Sequence, residues 1–184
     1  MPVTFDQGHS PKEVADAFAA MARRAVNLQP VLAVQSETVQ RLMVGVFRSE
    51  ASPDGTPWAP LADATEERRR TGRGPKVARI GVDSGAMRES LSARPSTGRD
   101  WIKFGTNRPY AAAFHEGATT SGTLKRKSYK PLREADTPWT RRQPARPLLP
   151  VTPQGTLMNT GPAAKTFARV SKAVATYIST GKIT

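Results

Sequence analysis

The chain contains two histidines, His9 and His115, and they bound the chemistry its side chains could perform. His115-Glu116 opens like the helical zinc motif of metallohydrolases, but no second histidine follows on the next turn, so a ligand set for metal hydrolysis is missing. Gly122-Thr123-Leu124-Lys125-Arg126-Lys127-Ser128 is too poor in glycine and wrongly spaced to cradle phosphate as a P-loop does. Asp83-Ser84-Gly85 lacks the flanking glycine of a nucleophile elbow. The carboxylates are scattered, and no pair of them announces acid–base work on a glycosidic bond. A poised His115 would need an orienting partner that the sequence does not identify, so it reads as a structural histidine. No catalytic, cofactor-binding or metal site is predicted, and the chain is read as non-enzymatic.

Positive charge is the stronger signal. The formal net charge is +13, from 28 Lys and Arg against 15 Asp and Glu. Much of it falls in two segments. The first, 66–76, carries Arg68, Arg69, Arg70, Arg73 and Lys76, and its glycines and proline break helix after Arg70. The second, 118–145, is rich in proline and carries Lys125, Arg126, Lys127, Lys130, Arg133, Arg141 and Arg142. Each could be no more than a solvated loop. Two basic arms in one chain point instead to an anionic partner, either nucleic acid or an acidic protein surface. The segment 125–142, long and extended by its prolines, is expected to dock on a neighbour. The shorter 68–76 is expected to face DNA. No helix-turn-helix or aromatic-interleaved platform suggests that DNA would be read by sequence.

Composition sets the scale of what can position these groups. A chain of 184 residues supports one domain with a modest core. The apolar share of 38%, with 16 Pro and 14 Gly, predicts a small core and long irregular segments. Cysteine is absent, which excludes disulfides and thiolate metal sites. No apolar run approaches the roughly 20 residues of a membrane span, and the N-terminus lacks the pattern of a secretory signal. A soluble protein made in the cytoplasm is expected.

Taken in order, residues 1–9 read as a flexible arm and 10–184 as a single domain carrying the two basic insertions. Ser10-Pro11-Lys12-Glu13 is a helix start, with Ser as N-cap, Pro at N1 and Glu at N3. Val14, Phe18, Met21 and Ala25 follow on one face, a stripe of the kind that usually enters a core. Pro30 either kinks this helix or opens a second one, along which Leu32, Val39, Met43 and Val46 align. Pro53-Asp54-Gly55 predicts a β-turn, and Trp58 beyond it reads as a lid on the core rather than an interface anchor. Val77 to Val82 leans toward strand, Ser84-Gly85 opens a helical turn with Met87 and Leu91, and Trp101 to Phe104 predicts a strand. Pro147 to Val151 could add an edge strand. Gly161-Pro162 opens a last helix whose Phe167, Val170, Val174 and Ile178 share a face. No internal repeat is visible. The fold class expected is α+β, a small antiparallel sheet packed with N-terminal and C-terminal helices.

The most compact local unit is Pro109 to Gly117. Asn107 suits an N-cap and Pro109 the first turn; Tyr110, Ala113 and Phe114 fall on one face. His115 sits where a last-turn cation belongs, and Gly117 where a positive φ is needed. An extended segment is the alternative. Gly122, in the second arm, is expected to carry no such demand.

These stretches also form an ordered series: Asp54-Gly55-Thr56-Pro57-Trp58-Ala59-Pro60-Leu61, Thr65, Ser84-Gly85-Ala86-Met87-Arg88-Glu89-Ser90, Gly105-Thr106-Asn107, Tyr110-Ala111 with His115 and Gly117, and Pro144-Ala145-Arg146-Pro147-Leu148-Leu149. In that order, over about residues 45 to 152, the chain resembles the phage virion morphogenesis family, the tail-completion proteins that include the Mu-like G protein. His115 and Gly117 stand one residue closer together than in the family pattern. The resemblance implies a structural virion protein that completes the tail or joins tail to head as a homo-oligomeric, hexameric ring. Its neighbours would be head–tail connector and tail tube proteins, with genomic DNA in the channel and no membrane. It would reside in the virion at the head–tail junction or tail end, and in the host cytoplasm during assembly. Trp58, Tyr110, His115, Gly117 and Arg146 would hold the shared fold, and no cofactor is implied. A sequence-independent DNA-binding protein is the alternative, and a tail-associated hydrolase a more distant third.

Overall fold

A computed structural model describes residues 8, 10–71, 79–124, 137–152 and 154–183. Its elements run α1 (Pro11–Val26), α2 (Gln29–Ser49), α3 (Asp63–Thr71), α4 (Ala86–Ser92), β1 (Ser96–Thr97), β2 (Ile102–Lys103), α5 (Ala111–Glu116), β3 (Ala118–Leu124), β4 (Thr137–Gln143) and α6 (Gly161–Thr180). The class is α+β, with two separate two-stranded antiparallel sheets, β1–β2 and β3–β4, in place of one small sheet. Two compact units divide the chain. One takes the described parts of Met1–Arg41, Ala93–Phe104 and Lys165–Thr184, the other Leu42–Ser92 and Gly105–Ala164.

In the first unit, α1 begins as its sequence dictates. The Ser10 hydroxyl accepts the Glu13 amide at 3.3 Å, and the Glu13 carboxylate accepts the Ser10 amide at 2.7 Å. This reciprocal capping satisfies two otherwise orphaned donors, and both bonds to Ser10 hold the Glu13 carboxyl below its usual pKa. The apolar stripe departs from expectation. No residue of α1 is buried; Phe18 is 67% and Val14 43% exposed. The stripe has the period of a core-facing helix but no core to face. Pro30 opens a second helix rather than kinking the first. At its start Val31 and Leu32 are buried with Ala173 of α6, and Leu28, Ile102, Val174 and Tyr177 pack around them. Trp101 is outside the strand predicted for it: β2 is only two residues long, and Gly98 N–H donates to the Trp101 carbonyl to close the hairpin.

The second unit has the larger core. Phe47, Trp58 and Phe114 meet edge to face, with ring centroids 5.8 and 5.4 Å apart, a geometry worth roughly 1 kcal/mol per pair beyond the area buried. Trp58 is buried as expected, and its indole N–H donates to the Pro147 carbonyl at 3.1 Å. Ile80 and Val82 are buried too, but in a turn rather than a strand. The Ile80 amide is satisfied by the Glu50 carboxylate at 3.0 Å and the Val82 amide by the Arg79 carbonyl at 3.4 Å, so neither donor calls for a sheet partner; Val77 lies outside the described residues. Val151 likewise forms a single bridge, to Leu157, and no edge strand.

That bridge belongs to a repeat. In residues 50–58, Ala51 bridges Pro57, and amide-to-carbonyl bonds run from Ser52 to Thr56, Gly55 to Ser52 and Trp58 to Glu50. In residues 150–158, Val151 bridges Leu157, and the same bonds run from Thr152 to Thr156, Gly155 to Thr152 and Met158 to Pro150. The shared signature is a Ser or Thr, Pro, any residue, Gly, Thr. It is short enough to pass as coincidence until the backbones are compared.

Candidate functional site

The site is built on α5 and the chain that crosses it. Arg108-Pro109-Tyr110-Ala111 forms a turn closed by the Ala111 amide on the Arg108 carbonyl at 3.0 Å, with Pro at its second position. The helix therefore starts at Ala111, after the turn. Pro109 precedes the first turn, Asn107 caps nothing there, and the N-cap residue is Tyr110, without a side-chain bond. The buried face is Ala111 and Phe114, while Tyr110 is 48% exposed. Gly117 ends the helix at φ 80°. A Cβ there would come within 2.9 Å of the Ala145 nitrogen and the Gln143 oxygen, so glycine is required twice, by φ and by space.

The close approach at Gly117 brings Pro144 to Leu149 over α5. The Arg146 amide donates to the Phe114 carbonyl at 2.9 Å. His115 Nδ1 accepts the Leu148 amide at 2.9 Å and the Leu149 amide at 3.4 Å. Burial holds its pKa below the usual histidine value, against the opposing pull of the Glu116 charge and the Val151 backbone. A neutral acceptor is what two amide donors require. Arg146 is 6% exposed. Its guanidinium donates from Nε to the Ala59 carbonyl at 2.9 Å and from Nη2 to the Pro60 carbonyl at 2.8 Å, and lies 5.7 Å from the Phe114 ring centroid. Trp58, Phe114, His115, Gly117 and Arg146 are thus brought together, and Tyr110 stands at their edge.

Beside them opens a cleft of about 390 Å³. Arg68 and Arg69 of α3, Arg141 and Arg142 of β4, and Arg146 line it, against one carboxylate among the described residues, Asp83. The bases of the two basic segments, far apart in sequence, meet here. Arg69 donates from Nη1 to the Arg79 carbonyl at 2.6 Å. Its Nε is buried without a hydrogen-bond partner among the described residues, 3.8 Å from an Asp83 carboxylate that is 75% exposed. Burial first, and then the Arg69 charge, lower the pKa of Arg146. Arg70 turns elsewhere, paired with Glu67 at 2.8 Å. Arg73, Lys76, Lys125, Arg126, Lys127, Lys130 and Arg133 lie outside the described residues.

The second segment differs from the irregular arm expected of it. Residues 118–124 and 137–143 pair in register, Ala118 opposite Gln143 through Leu124 opposite Thr137. Gly122 stands across from Trp139, whose ring a Cβ would meet at 2.9 Å, so this glycine is not free of demands. Hydrophobic alternation gave no hint of the ribbon, because most of its residues with described side chains are exposed. The cleft was hidden for a related reason: its arginines belong to segments that sequence reading treats separately. Among the described residues no cluster of His, Cys, Asp or Glu could hold a metal ion, and no helix is long and apolar enough to cross a membrane.

The sequence pattern of the phage virion morphogenesis family matches residues 10–166. No curated protein and no solved structure matches the chain.

Proposed function

The chain belongs to the phage virion morphogenesis family, and from that premise we propose that it completes the tail or joins tail to head as part of a homo-oligomeric ring. Membership itself gives it a structural role in phage assembly. The finer reading is carried by α1. This helix is capped and amphipathic, and it leaves Val14, Phe18 and Val26 exposed. An apolar stripe without a partner among the described residues suits contact between subunits. Charge supplies the second part of the mechanism. The two basic segments, 125–142 expected on a neighbouring protein and 68–76 toward DNA, have their bases at one cleft, where Arg68, Arg69, Arg141 and Arg142 would act together on a partner. A ring of six copies meeting connector and tail tube proteins is the arrangement that fits this reading.

Electron microscopy of particles made without the protein tests it. Separate heads and tails, or tails of uncontrolled length, are expected; normal joined virions overturn the proposal. The second reading, sequence-independent DNA binding, is favoured by the net charge of +13. It requires the isolated chain to shift DNA of any sequence, with log affinity falling linearly with log salt.

A further inference from the structure

We propose that the arginine cleft is a receptor for a carboxylate side chain, an Asp or Glu carried into it on a segment of a neighbouring protein subunit. The inference deepens the assembly reading and rests on it only for the source of that segment.

The first ground is charge. The Arg69 charge disfavours that of Arg146, and the acid beside Arg69 among the described residues, Asp83, is solvated and stands 3.8 Å away, an ion pair too long for a hydrogen bond. The bonds that Arg146 makes to the Ala59 and Pro60 carbonyls orient its guanidinium without neutralising it. Buried cations normally have a paired anion, because desolvation is otherwise uncompensated. A second ground is the buried Nε of Arg69, which has no acceptor among the described residues. An unpaired buried donor calls for an explanation, and a planar carboxylate matches the fork of a guanidinium.

Shape separates a carboxylate from a backbone phosphate. Met87 and Phe114, both buried, belong to the cleft wall, which suits the short aliphatic stem of Asp or Glu. Arg146 is recessed, whereas duplex phosphates lie along a rigid rod and are met by cations that project. Arg141 and Arg142 are exposed at the cleft and would steer an acidic segment toward it.

The test uses the full chain in solution and three probes: a blocked Ala-Leu-Glu-Leu-Ala peptide, its Gln counterpart and a short DNA duplex. Arginine Nε–H resonances are followed by NMR. The Glu peptide is expected to move the Arg69 and Arg146 signals, with weak affinity of about millimolar, while the Gln peptide leaves them in place. Arg69→Gln and, separately, the exposed Arg142→Gln should each weaken the Glu peptide severalfold, with an unchanged thermal midpoint for R142Q showing that the fold is intact. Equal effects of the Glu and Gln peptides, or no movement of Arg69 with either, overturn the proposal. So does movement of Arg69 and Arg146 by the duplex but not by the Glu peptide, which would make the ligand nucleic acid. These outcomes are independent of particle microscopy, so failure of the receptor and failure of the assembly reading are told apart.

Discussion

The described residues of 50–58 and 150–158 share a set of backbone bonds and little else. Both close with the same three amide-to-carbonyl bonds and the same bridge. In the first, Ala51, Ser52, Pro53 and Trp58 are buried; in the second, residues 154–157 are exposed and Leu157 is 57% accessible. The first also receives α6, whose Ala163 amide donates to the Pro53 carbonyl at 2.8 Å. The difference separates two causes that are usually confounded. The frame comes from local chemistry, a hydroxyl residue and a glycine three positions on. Its contribution to stability comes from what fills the last position, Trp58 in one and Met158 in the other.

Breaking the comparison at that position should give the largest effect. Trp58→Ala removes an indole from two aromatic contacts and a hydrogen bond, and should cost about 3–5 kcal/mol. Met158→Ala, at a half-buried site, should cost less than about 1 kcal/mol. Urea titrations of the two variants check this, and equal losses would show that the second loop is also part of the core.

Glycine gives the next effect. Gly155 has φ 77° and open space around its missing Cβ, whereas Gly117 has φ 80° and backbone atoms 2.9 Å from that position. Gly155→Val should cost about 1–3 kcal/mol from conformation alone. Gly117→Val adds the clash with Gln143 and Ala145 and should cost more. If thermal melts rank the two equally, the crossing of Pro144 to Leu149 over α5 is looser than its geometry.

The smallest effect is one of pH. The chain entering the second loop hangs on His115, which accepts the Leu148 amide. Its folded pKa is depressed, first by burial, so the unfolded chain binds the proton more readily. The stabilisation is therefore complete above the usual histidine value of about 6.5 and is lost as pH falls below it toward the folded pKa. Protonated Nδ1 becomes a donor and can no longer accept an amide. Hydrogen exchange, corrected for intrinsic rates, should show Leu148 losing protection below pH 6, while Trp58 in the first loop keeps its own. Parallel loss at both amides would mean that His115 is not the sensitive link.

Sequence was informative at α1, Gly117 and Trp58, where the cause was local, though the turn before α5 shows that local signals can be misplaced by a few residues. Ser10, Pro11 and Glu13 announce their helix because both capping bonds lie within one turn, and Gly117 is legible because few residues adopt its φ. The burial of Trp58 follows from being large and apolar beside a turn. What sequence did not disclose was set by partners far along the chain. The apolar residues Ile80 and Val82 suggested a strand, but their burial is against a core rather than within a sheet. The ribbon of β3 and β4 pairs polar, exposed residues. The arginine cleft joins α3 to β4 and Arg146, a proximity that no spacing rule encodes.

Arg24 has a mechanical consequence. It donates from Nε to the Ile178 carbonyl at 2.8 Å and from Nη2 to the Ser179 carbonyl at 3.0 Å, near the end of α1 and the end of α6. The opposite end of α1 carries Val14, ten residues away and therefore about 15 Å along the axis. A helix pinned at one end is a lever. A swing of about 10° at the pin carries Val14 through roughly 2–3 Å over that length, the scale on which an apolar side chain gains or loses a neighbour. In the ring proposed above, copies would then absorb small errors in spacing by pivoting already formed helices, without unwinding a turn of any of them.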